Sequence, residues 1–94
     1  MTRARRKNLA VLSRQLEIRV EFLEECVRHG ALDLDELPAS PRAASAAQGA
    51  RLRRLARLCR DLELDVFAGA LIVDLLEQRD ALRRELDAWH AAGR

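Results

Sequence analysis

Apolar residues recur at intervals of three and four through most of this sequence, a period that belongs to helices rather than strands. Leu9, Leu12 and Leu16 share one face, Phe22, Leu23, Cys26 and Val27 a second, and Leu52, Leu55, Cys59 and Leu62 a third. Composition closes the alternative. Leu supplies 17 residues and Ala 16, against five Val, two Ile and three aromatics. Strands draw on β-branched and aromatic side chains, so a strand-rich fold is excluded and an all-α fold is expected. With 94 residues the chain is expected to form a single domain over 1–94, because two independent cores need more chain.

The first helix is read from Asn8 to Gln15, with Asn8 as its N-cap. A tight turn over 16–19 leads to a second helix from Arg19 to His29. Gly30 stops it, where the backbone must turn left-handed. Two short helices joined by such a turn make a helix-turn-helix over residues 8–32. Ala31 to Asp35 alternates apolar and acidic residues, which suits a short extended stretch. Pro38 and Pro41 then break regular structure, so 33–46 is read as a connector or reduced wing.

Residues 47–92 are expected to supply two more helices. One runs from Ala47 to Leu62, and a long C-terminal one starts after the N-cap Asp65 and reaches Trp89 or His90. Phe67 to Val73 is apolar nearly all round, which predicts burial on more than one side. Gly69 lies within it and would allow a close helix approach. Farther along, apolar residues narrow to a seam. Ile72, Arg79 and Leu86 occupy one heptad position, and Leu75, Leu82 and Trp89 the other. Ile72, Leu75, Leu82, Leu86 and Trp89 are therefore the candidate dimerisation residues, because a chain this small gains buried area by pairing. A homodimer is expected; the alternative is a helix packed back on its own domain.

The formal net charge of +2 hides alternating blocks. Arg3, Arg5, Arg6, Lys7 and Arg14 make the start basic, and residues 15–37 are acidic. Six arginines and no acid fall in 38–60, and acids dominate again from Asp61 onward. Such blocks either fold against one another or face separate partners.

No catalytic constellation is present. His29 and His90 fall at expected helix ends, where the helix dipole favours a cation. Cys26, His29 and Cys59 lack a zinc spacing. Ser13, Ser40 and Ser45 lack a nucleophile-elbow context. No glycine-rich phosphate loop occurs. A non-enzyme without cofactor or metal is expected. The two cysteines sit inside apolar patterns and are read as reduced core residues. No apolar run approaches the ~18 residues of a membrane span, and no secretory leader is evident, so a cytoplasmic location is expected.

A helix-turn-helix invites a DNA reading, and charge opposes it. The open face of the second helix carries Glu21, Glu24 and Glu25, with Asp33 and Asp35 just beyond. DNA affinity is dominated by basic contacts to phosphate, so these carboxylates suit a basic protein surface better. Glu21, Glu24, Glu25, Asp33 and Asp35 are the candidate partner-binding residues. The alternative is a DNA-binding regulator that uses Arg51, Arg53, Arg57 and Arg60 of the third helix with the basic N-terminus.

The order of elements resembles one family. VLSRQLEIRVEFLEECVRHGAL, from Val11 to Leu32, is similar to the degenerate helix-turn-helix of the CbpM-type chaperone modulators, a MerR-like group, with Leu23, Val27, Gly30 and Leu32 at its motif positions. Arg54 to Asp65 resembles the family's Arg-Leu-rich helix ending in a Leu-x-Leu-Asp turn, and Ala68 to Leu86 its long apolar helix with a charged Leu-repeat tail. The resemblance covers about two thirds of the chain. It implies an all-helical MerR-like core that binds the J-domain of a DnaJ/CbpA-like co-chaperone and keeps it from stimulating a DnaK-type chaperone. It also implies that a J-domain presents a basic helix, for which an acidic competitor is suited. A related alternative is an assembly factor holding chaperone and co-chaperone together. The chain departs from the pattern between Asp35 and Gly49, where a wing is usual and a Pro-Ala-Ser segment stands instead.

Overall fold

The structure, a computed structural model, describes residues 3–33 and 46–93, the first four of them by backbone alone. Among the described residues four helices run in order: α1 (Arg3–Leu16), α2 (Val20–Arg28), α3 (Ala46–Asp61) and α4 (Val66–Ala92). No strand occurs among the described residues, in keeping with the all-α expectation. The short extended stretch expected over 31–35 is not seen as a strand in its described part, since Ala31 and Leu32 form bends and Asp33 has no regular structure. The rest of the expected connector or wing, 34–45, lies outside the described residues, and Asp35 with it.

Three expectations are corrected. Asn8 is not a cap, because α1 begins at Arg3. The Arg3-Ala4-Arg5-Arg6-Lys7 run consists of strong helix formers and contains nothing that would stop a helix. Leu62 is not part of α3's buried stripe, because the helix ends at Asp61 and leaves Leu62 exposed in the turn. The apolar stretch Phe67 to Val73 buries one side only. Gly69 and Val73 are buried, whereas Phe67 and Leu71 are 57% and 50% exposed.

One cluster holds the fold together. Leu9 and Leu12 of α1, Leu23 and Cys26 of α2, Leu52, Leu55 and Cys59 of α3, and Val66 and Val73 of α4 form its centre, with Ile18 and Leu32 from the turns. Gly69 sets the α3–α4 spacing. A Cβ there would lie 2.5 Å from Cys59 Sγ and 3.0 Å from Leu55 Cδ1, so only glycine lets the two helices approach this closely, as the sequence suggested.

One turn is used twice. Leu12 to Val20 reads LSRQLEIRV and Leu58 to Val66 reads LCRDLELDV, identical at five of nine positions. In each copy a glutamate takes the left-handed conformation, Glu17 at φ 57° and Glu63 at φ 52°. The next amide reaches back across the helix end, from Ile18 to the Ser13 carbonyl at 3.1 Å and from Leu64 to the Cys59 carbonyl at 3.0 Å. That bond is the outer hydrogen bond of a Schellman termination. Ser13 Oγ also donates to the Ile18 carbonyl, and Cys59 Sγ to that of Asp65 at 3.6 Å. The copies differ at the following N-cap. Asp65 accepts from the Ala68 amide at 2.8 Å, whereas Arg19 makes no side-chain cap for α2. Helix α2 ends in the same motif at Gly30, φ +73°, with the Ala31 amide on the Cys26 carbonyl at 2.8 Å.

Candidate functional site

Helix α2 buries Leu23 and Cys26 and turns its charged residues outward. Glu21 is exposed, and Glu24 and Glu25 are half-exposed. Glu25 is the most engaged of the three. It accepts from Arg28 Nη1, and His29 Nε2 lies 3.4 Å from its other carboxylate oxygen. Arg19 stands 4.0 Å from Glu21, with both side chains largely in solvent, a pairing that contributes little.

A groove of about 550 Å³ runs between the α1–α2 turn, α2 and α3. Glu17, Arg19, Glu21 and Glu25 line one side, Phe22 and Ala56 contribute apolar surface, and Arg60 stands on the α3 side. Two of the expected partner-binding carboxylates, Glu21 and Glu25, thus come together in one concavity. Glu24 does not line it, and Asp33 falls beside Gly30 and Arg51 on a separate opening. Sequence reasoning missed Glu17, Phe22 and Ala56 as groove residues. Glu17 had a signal, namely its repetition as Glu63 in the second copy of the turn motif. Phe22 and Ala56 had none, because their neighbourhood depends on how α2 lies against α3.

At the end of α2 the acidic surface meets an exposed aromatic. The His29 ring lies 6.4 Å from that of Phe67, tilted by 53°. Phe67 opens α4 and is 57% exposed.

The α3 arginines divide by role. Arg51 is a clamp: its Nη2 lies 2.5 Å from Asp74, its Nε donates to Glu77 at 2.8 Å, and its Nη1 donates to the Ala31 carbonyl at 3.3 Å. It thereby ties the end of α2 to α4. Arg54 reaches Asp80 at 3.6 Å. Hydrogen bonding to Arg79 first, and then the charges of Arg79 and Arg54, hold the Asp80 carboxyl below its ordinary range. Arg53 and Arg57 are exposed, and among the described residues neither has an ion-pair partner. Arg60 pairs with its neighbour Asp61, at 3.3 Å.

Of the candidate dimerisation residues, Ile72 is half-buried in its own fold. Leu75, Leu82, Leu86 and Trp89 are 63%, 65%, 55% and 78% exposed. Both cysteines are free and buried. Burial pushes the Cys26 thiol up to about 12 and also raises that of Cys59, so neither is a thiolate nucleophile at neutral pH. No cluster of metal-ligating side chains occurs among the described residues, and none of the described helices is long and apolar enough to cross a membrane.

A family model described as MerR HTH family regulatory protein matches residues 8–89, from within α1 to near the end of α4. No curated protein and no solved structure matches.

Proposed function

We propose, from the premise that this chain belongs to the MerR helix-turn-helix family of regulatory proteins, that it regulates by binding a protein rather than DNA. The proposed partner is the J-domain of a DnaJ/CbpA-like co-chaperone, held away from its DnaK-type chaperone. One observation carries the reading. The helix that would enter a major groove presents Glu21, Glu24 and Glu25, and two of these carboxylates line a groove with Glu17. Carboxylates at that position repel a phosphate backbone, and they complement a basic protein helix in both encounter rate and partner choice. The resemblance of Val11 to Leu32 to the CbpM-type modulators supplies the identity of the partner.

Calorimetric titration with a purified J-domain tests the reading. Stoichiometric binding is expected, with loss of about tenfold or more in affinity for Glu21→Arg plus Glu25→Arg at unchanged helicity. Undiminished affinity in that double variant removes the acidic helix from the mechanism.

DNA binding is the second reading, favoured by Arg53 and Arg57 on α3, which are exposed and without an ion-pair partner among the described residues. It is weakened by the internal engagement of Arg51. It requires binding to random duplex with a steep salt dependence that Arg53→Glu and Arg57→Glu reduce.

Self-association through α4 belongs to the same proposal. Leu75, Leu82, Leu86 and Trp89 fall within one narrow stripe of the helix and are left in solvent by the monomer. Exposed apolar rows of this length mark contact surfaces.

A further inference from the structure

We draw no further inference here: the strongest candidate, the surface patch of large apolar side chains left exposed along α4 at Phe67, Leu71, Leu75, Leu82, Leu86 and Trp89, belongs to the self-association surface already proposed, and nothing in the structure shows what else covers it.

Discussion

Gly69 shows how a single atom sets helix spacing. Replacing an interior helical glycine with alanine gains up to about 1 kcal/mol in propensity. Here the added Cβ would lie 2.5 Å from Cys59 Sγ and 3.0 Å from Leu55 Cδ1, and overpacking costs about 1–3 kcal/mol. Gly69→Ala should therefore lower stability in urea denaturation, and Gly69→Ala with Cys59→Ala should recover much of the loss by removing the sulfur. A neutral single variant would show that α3 and α4 can part without penalty. The other buried sulfur has a pH signature. The Cys26 thiol is raised from its ordinary 9.0 to about 12, so the folded state holds a proton that the unfolded chain releases. Stability from this source is complete below pH 9 and declines as pH rises from about 9 toward about 12, up to ~1.4 kcal/mol per pH unit. Urea midpoints measured across that range should fall for wild type and fall less for Cys26→Ala, measured against its own lower starting stability. Gly69's close approach was legible in the sequence, as a glycine inside an apolar helix. Its two specific neighbours were not.

At the scale of elements, the repeated turn explains why helix order was legible and exact ends were not. Leu-x-Arg-x-Leu-Glu occurs at Leu12 and again at Leu58, and each time the glutamate adopts a left-handed backbone. A glutamate carries no sign of that conformation in a single occurrence, whereas Gly30 does, and the end of α2 was placed correctly. The α1 start was missed because Asn8 looks like a cap while the basic run before it is helix-forming in its own right. The two copies also supply a prediction. Asp65 caps α4, and Arg19 occupies the equivalent place before α2 without capping it. Arg19→Asp should stabilise the protein by about 1 kcal/mol, by giving the first turn of α2 an acceptor and by replacing a cation at the positive end of the helix dipole. A raised urea midpoint with unchanged slope confirms it; no change means that solvent already satisfies those amides.

For the whole molecule, elongation is the informative property. The radius of gyration is 15.7 Å and the extents are 56 × 31 × 19 Å, against about 12 Å expected for a compact chain of this length. The excess comes from α4, whose 27 residues continue past the core with every residue from Leu82 to Ala92 exposed. Leu82→Asp should leave monomer stability within about 0.5 kcal/mol, since the side chain is 65% exposed, and should reduce the sedimentation coefficient if α4 pairs as proposed. An unchanged coefficient would assign the stripe to something other than a second copy. The sequence by itself determined the helical class, the order of the four elements and the acidic character of α2, because period, propensity and charge are properties of neighbours along the chain. Only the tertiary structure decided that Phe67 and Leu71 face solvent, that Arg51 is spent on Asp74 and Glu77, and that Glu17, Glu21 and Glu25 share a groove with Phe22 and Ala56. Each of these depends on which face of one helix meets which face of another. A pattern read along one helix gives the width of its apolar stripe, and the number of neighbours that cover the stripe is fixed only when the helices pack.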